Sequence, residues 1–432
     1  MTTIPELAEM MQELLTSTAD RLGRETGFIQ RQRIVSGSGF AQATVFGWQA
    51  NPAASYAEIN QAAATAGMAI STQGLDQRFK PEASVFLRAL LMEGVQRMVV
   101  AAQPKTVDVL GRFAGVYVTD TTLVGLPAPL AEWWPGGGQP AALKLAVSLE
   151  LTRGQMTGPY LSAGRTHDQR TPVHGHPLPA GGLWLVDLGF FDLTTLAEYD
   201  RQGVHWLVRL KMGTRVYDPT SQPVNLVSLL NQTDQDSLDR PVLLGHIHLP
   251  CRLLAWRVPP QAAQHRRDQA QTTARRKQQP VSQARLALAD WSLVITNIPP
   301  ALLSVSEAPV ILATRWQVEK LFDLWKTEGQ LDKTVSANPW RVLASVYAKL
   351  LALLIQHWTT LVTAWQALDL SLVQAAQVVR KHALHIASVL QDLPALMHAL
   401  YSIQSAMSTC RMQKRRQHPL TFQLWLYCPD TS

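Results

Sequence analysis

The periodicity of the chain changes twice, and this limits the fold more than any single motif. Over the first hundred residues apolar side chains recur at helical spacing, as in Ile4, Leu7, Met10, Met11, Leu14 and Leu15. From Phe113 the texture turns to short apolar, β-branched runs. These are "GVYVTDTTL", "AALKLAVSLEL" from Ala141, "GGLWLVDLGFF", "VHWLVRLK" from Val204, "PVLLGHIHL" from Pro241, "CRLLAWRV" from Cys251 and "DWSLVITN" from Asp290. A helix is expected between strands at Leu193 to Gln202. From Ile311 helical spacing returns, with breaks at Pro339 and Pro394. Strands interleaved with helix, inside helical flanks, make the fold class α/β.

With 432 residues, 47% of them hydrophobic, the chain exceeds one compact core, and roughly two to four domains are expected. The net charge of +7 suits an anionic partner, and its distribution says more than its sum. Between Arg252 and Arg285 eight basic residues face one acid, Asp268; a second cluster holds Arg411, Lys414, Arg415 and Arg416. Two such clusters in one chain favour a polyanion. Three scattered cysteines, Cys251, Cys410 and Cys428, argue against a disulfide framework or zinc module. The start "MTTIPELAEMMQELL" lacks the pattern of a secretion signal, and "LLALLIQHWTTLVTAW" from Leu350 is interrupted by polar residues and reads as a buried helix. A cytoplasmic protein with no membrane partner is expected.

Other segments carry local signals of their own. "SYAEINQAAATAGMAISTQGLDQRF" from Ser55 has the outline of a helix-turn-helix: a helix, a turn at Gly67, and a second helix capped near Ser71 presenting Thr72, Gln73, Gln77 and Arg78. The Trp-Trp-Pro-Gly-Gly-Gly run, Trp133 to Gly138, lacks the Gly-Lys-Ser/Thr of a phosphate loop and reads as a connection between two strands. Residues 260 to 285 read as a loop or helical arm. The pairs His174/His176 and His246/His248 fall on one strand face if extended, but no third ligand has suggestive spacing, so they read as structural or solvated.

The chemistry rests on acids. Asp120 and Asp187 each follow an apolar run, where a carboxylate is costly unless paired or bound to a cation. Taken singly, each reads as strand-end capping. A third acid, Glu319, lies in "LATRWQVEKLFDLWK", where at about 100° per residue Arg315, Glu319 and Lys326 fall on one stripe. Taken alone, this stripe reads as an exposed pair that supports the helix. Three acids converging on one point call for a divalent metal with oxygen ligands.

Together these motifs resemble the DDE transposases of bacterial insertion sequences whose last acid lies in a Tyr-x2-Arg-x3-Glu-x6-Lys signature. Arg315, Glu319 and Lys326 match its spacing, "VTDTT" matches the context of the first acid, "DLGFF" that of the second, and "DWSLVITN" the strand before the last helix. Leu312 stands where the signature has Tyr, which removes a phosphate contact. The likeness covers roughly residues 30 to 360. It implies an RNase H-like mixed-sheet core with a strand-rich insertion and helical flanks. The expected division is 1–105 helical and DNA-binding, 106–203 first part of the core, 204–295 insertion, 296–345 last strand and helix of the core, and 346–432 helical and dimerising. It implies that Asp120, Asp187 and Glu319 hold two Mg²⁺ or Mn²⁺ ions, and that Arg315 and Lys326 meet phosphate. It also implies that Trp291 supports an extruded base by stacking. Arg266, Arg267, Arg275, Arg276, Lys277, Gln73, Gln77 and Arg78 are the expected DNA contacts. The implied function is cut-and-paste transposition: binding terminal inverted repeats of double-stranded DNA as a synaptic homodimer at the bacterial nucleoid, cleaving the ends and joining them to target DNA. A nuclease without strand transfer, or a DNA-binding inhibitor with a dead core, are the alternatives.

Overall fold

The computed structural model describes residues 1–31, 34–333, 336–412 and 423; Lys414, Arg415, Arg416 and Cys428 lie outside the described residues. The N-terminal helices are set by their caps. Helix α1 (Ile4–Glu13) starts from a reciprocal Thr3–Glu6 capping box and runs on through a π segment, Leu14–Thr18, into α2 (Ala19–Glu25). Ser36 caps α3 (Gly37–Ala50) and Ser55 caps α4 (Tyr56–Thr65). Gly67, at φ +77°, turns the chain toward α5 (Thr72–Asp76), which Ser71 caps. The expected helix-turn-helix outline is present, but its second helix has five residues. α6 (Pro81–Gln96) and a short α7 (Asp108–Gly111) follow.

The strands are β1 (Val116–Leu126), β2 (Ala141–Glu150), β3 (Met156–Ala163) and β4 (Leu183–Val186), then α8 (Leu193–Arg201) and β5 (His205–Arg209). Next come β6 (Val216–Tyr217), α9 (Leu226–Asn231), β7 (Ser237–Leu244), β8 (Leu249–Arg257), α10 (Pro260–Lys277), α11 (Gln283–Ala287) and β9 (Trp291–Thr296). The chain ends in α12 (Ala308–Thr314), α13 (Trp316–Thr327), α14 (Pro339–Ala364), α15 (Leu372–Val389) and α16 (Leu393–Met407). Two expectations need correcting. The run through Asp120 does not end there, since β1 continues to Leu126. "PVLLGHIHL" is not one strand: Gly245 to His248 turn the chain between β7 and β8.

The chain forms two compact units. One holds residues 107–120 and 167–316. Its strands run in the order β1-β4-β5-β9-β8-β7-β6. β1, β4 and β5 are parallel, and the later neighbours are antiparallel. β5 therefore sits beside β4, and the strands read as an insertion extend the same sheet past β9. Trp184, Trp206, Tyr199 and Phe190 fill its core. Asn297, the last residue of the "TN" pair, ties this sheet together: its Oδ1 accepts the Trp206 amide at 2.8 Å, and its Nδ2 donates to Asp200 and to the Val204 carbonyl.

The other unit holds residues 1–106, 121–166 and 317 to the end of the described helices. Its strands run β3-β2-β1, with every residue of β2 buried. α14 is long and apolar enough to cross a membrane, yet its apolar window is wholly buried in the protein, as a core helix is. It packs on α3, α6 and α16, while α15 packs on α3 and α16, and α16 on α1. The C-terminal helices thus lay apolar faces against the N-terminal ones. The polar residues of α14 are satisfied locally: Lys349 donates to the carbonyls of Gln330 and Lys333, and His357 Nε2 lies 2.8 Å from the Gly154 carbonyl.

Candidate active site

Asp120 and Asp187 follow a register-matched pair. Val116–Thr119 of β1 run parallel to Leu183–Val186 of β4, with Thr119 opposite Val186, so the next residue on each strand is the aspartate. Parallel neighbours are about 4.8 Å apart, and alternation places both acids on the face that carries Val118 and Leu185. The opposite face is locked by a buried bond from Trp184 Nε1 to Thr119 Oγ1, 3.1 Å, one residue before Asp120. Asp187 ends its strand and begins a 3₁₀ turn, Leu188–Phe190, closed by the Phe190 amide on the Asp187 carbonyl at 3.0 Å.

That turn explains the glycine of the Asp-x-Gly motif. A methyl group at Gly189 would collide with the carboxylate of Asp168, which leans on the turn from the preceding loop. Gln169 Nε2 donates to the Phe191 carbonyl at 2.7 Å and fastens the same loop. No local pattern in the sequence marks Asp168, 19 residues before Asp187.

A cation faces the first acid. Arg315 stands at the junction of α12 and α13, 7% exposed, with Nη1 3.4 Å from Asp120 Oδ2. α12 is anchored by Glu307, fully buried, which exchanges hydrogen bonds with Ser304 and receives Arg112 Nη1 at 2.8 Å. Arg315 is thus a buried residue rather than the end of an exposed stripe. Its amide bonds the Leu312 carbonyl three residues back, a local tightening of the helix. Leu312 itself is buried. One turn after Arg315, Glu319 occupies the first turn of α13, half-buried beside Val318 and Leu321, and Lys326 lies half-buried in its last turn. These two belong to the other compact unit. Among the described residues no group of three or more His, Cys, Asp or Glu side chains forms a ready metal cluster.

Residues 111–355, more than half of the chain and including all three acids, match the family model described as "Transposase DDE domain". The chain belongs to the DDE transposase family. Its relatives include the transposase for insertion sequence element IS231B of Bacillus thuringiensis subsp. berliner, 25% identical over 80% of this chain and 78% of that protein. The IS231F transposase of B. thuringiensis subsp. israelensis is 24% identical over 81% and 78%. The IS1151 transposase of Clostridium perfringens is 21% identical over 78% and 76%. The family implies a divalent metal. The donors here suit one, because carboxylate oxygens are hard ligands for hard cations and Asp120 already attracts a positive charge.

The remaining site residues expected of this transposase have distinct surroundings. Trp291 is 5% exposed and covered by the Arg257 guanidinium at 4.6 Å, the surroundings of a core residue. Arg266 donates to the Trp291 carbonyl and to Ser292 Oγ, and Arg267 pairs with Asp290 at 2.5 Å. Arg275, Arg276 and Lys277, at the far end of α10, are exposed. Gln73, Gln77 and Arg78 are also exposed, on and just after the short α5. Of the paired histidines, His246 is exposed, while the others have local partners. His174, its pKa lowered by burial, bonds Thr195 Oγ1 through Nε2 at 2.9 Å. Because that hydroxyl donates to Asp192, the His174 nitrogen must be the donor. His248 stacks on Tyr217.

Proposed function

We propose that this chain is the transposase of an insertion sequence: it binds terminal inverted repeats, cleaves the DNA at the element's ends and joins those ends to target DNA. The observation that carries the reading is the register of β1 and β4, which starts Asp120 and Asp187 from neighbouring positions on one face, with Arg315 above Asp120. In this reading Asp120, Asp187 and Glu319 hold divalent Mg²⁺ or Mn²⁺, two ions in all. A bound ion of this kind activates an attacking oxygen and stabilises the leaving one. Arg315 and Lys326 orient the scissile strand through its phosphates. Arg275, Arg276 and Lys277 give sequence-independent affinity, and Gln73, Gln77 and Arg78 approach the duplex from the N-terminal helices. Two ends must be held together for joining, so the working form is a homodimer in a synaptic complex, acting on nucleoid DNA in the bacterial cytoplasm.

The test is an incubation of the purified protein with end DNA and Mg²⁺. Cleavage followed by joining is expected, and Asp120→Asn, Asp187→Asn and Glu319→Gln should each abolish both while the duplex still shifts in a gel. Cleavage without joining would point instead to a plain nuclease, and a mobility shift alone to a DNA-binding inhibitor. Retained cleavage in those variants would refute the site.

A further inference from the structure

Arg209 stands in the same row of the sheet as the first two acids. Thr119 is opposite Val186 and Val186 is opposite Val208, so the next residues across β1, β4 and β5 are Asp120, Asp187 and Arg209. Parallel neighbours in register point to one face, here the face that carries Val118, Leu185 and Leu207. Those three are buried, Asp120 and Asp187 are half-buried and Arg209 is exposed, so the row opens toward solvent at its cationic end. At about 4.8 Å per strand, Arg209 starts one spacing from Asp187 and two, roughly 10 Å, from Asp120. Its backbone is fixed on the far side, because Arg209 is paired with Val294 of β9 and the Leu210 amide donates to the Leu293 carbonyl at 2.9 Å.

Among the described residues no carboxylate forms an ion pair with Arg209, Asp187 included. A second cation lies close to it instead. Arg266 gives its own hydrogen bonds to neutral acceptors, the Trp291 carbonyl and Ser292 Oγ. Burial and then the charge of Arg209 lower the Arg266 pKa, as a like charge nearby does. Two cations set among neutral partners leave a positive potential at this edge of the row, and a bound anion relieves it. We propose that Arg209 is a phosphate-binding residue of the active site, holding a backbone phosphate of the end DNA next to the phosphodiester that is cut. This rests on the proposed function for the place of the metal and of the cut, and it adds a residue outside the helix that carries Glu319. Acids that gather metal on one side of a row and a cation on the other fit one DNA strand laid along it, since phosphates recur about every 3.4 Å of axis on each strand.

The experiment is single-turnover cleavage of end DNA by the full chain with Mg²⁺, using duplexes in which one phosphate at a time near the cut is replaced by an uncharged methylphosphonate. At saturating DNA, Arg209→Gln should cleave roughly ten- to hundredfold more slowly, while duplex affinity in a gel falls only about two- to threefold, as for one contact among many. Arg209→Lys, which keeps the charge, should recover most of the rate. One methylphosphonate beside the cut should slow the unaltered chain by a similar factor and slow Arg209→Gln no further. Cleavage by Arg209→Gln within about twofold of the unaltered chain overturns the proposal. So does a glutamine variant that every such methylphosphonate slows as much as it slows the unaltered chain. Asp187→Asn separates this failure from failure of the site itself. If Asp187→Asn still cleaves, the site assignment falls and this role with it. If it abolishes cleavage while Arg209→Gln cleaves normally, only the role of Arg209 falls.

Discussion

Two buried arginines of the same compact unit, each against an aspartate, are held very differently. Arg252 on β8 grips Asp239 with a two-pronged fork, at 3.1 Å from Nε and 2.5 Å from Nη2, and its third nitrogen donates to the carbonyls of Ile298 and Leu303. Arg315 reaches Asp120 from Nη1 across 3.4 Å. The first arrangement satisfies a desolvated charge in fixed geometry and staples β7, β8 and the chain after β9 together. The second is a longer, single-pronged contact with the acid. Burial alone therefore does not mark an ion pair as structural; the length and alignment of its bonds do.

The most direct way to break this contrast is to remove each cation in turn. Arg252→Ala should lower unfolding free energy by about 3–5 kcal/mol, because it strands Asp239 and two carbonyls. Arg315→Gln should lower it by less, because its bond to Asp120 is longer and single-pronged. Urea unfolding measures both, and equal losses would erase the distinction.

His357 sharpens the comparison from the other unit, since it is buried on α14 against a carbonyl instead of a carboxylate. Burial pushes its pKa down to about 4, opposed by the bond to Gly154 and aided by nearby Lys105. Below its unfolded pKa the unfolded chain binds a proton that the folded chain refuses. Stability should thus be intact above about pH 6.5 and fall by on the order of 3 kcal/mol as pH drops toward 4. In His357→Gln the slope over that window should flatten; an identical pH profile would show that other groups set it.

The smallest effects on stability are expected along α10, whose two ends repeat the contrast. Arg266→Gln, which loses bonds to Trp291 and Ser292, should cost about 1–2 kcal/mol. Changing Arg275, Arg276 and Lys277 together to Gln should shift stability by less than about 0.5 kcal/mol. The same triple change should reduce the slope of log affinity for duplex DNA against log salt by about 2 to 3. A salt slope that responds to Arg266 and ignores the triple change would reverse the assignment of the two ends.

These contrasts also mark how far the sequence could be read. The switches of periodicity revealed the α/β class because burial against one layer writes its period locally. Asp120 and Asp187 stood out because an acid after an apolar run is expensive. That their strands are neighbours was not legible, since strand order is decided by packing across the sheet. The basic run was visible as charge, but its partners were not: Arg267 finds Asp290 across 23 residues, and Arg257 covers Trp291 across 34. The break in "PVLLGHIHL" was hidden because Gly245 was its sole turn signal, and His248 adopts a positive φ that its side chain does not announce.

The collision between a side chain at 189 and the carboxylate of Asp168 ties two positions 21 residues apart into one heritable unit. Ala at 189 requires the Asp168 carboxylate to swing aside, and a smaller residue at 168 removes that requirement. Change at this corner should therefore come more readily when the loop and the motif vary together.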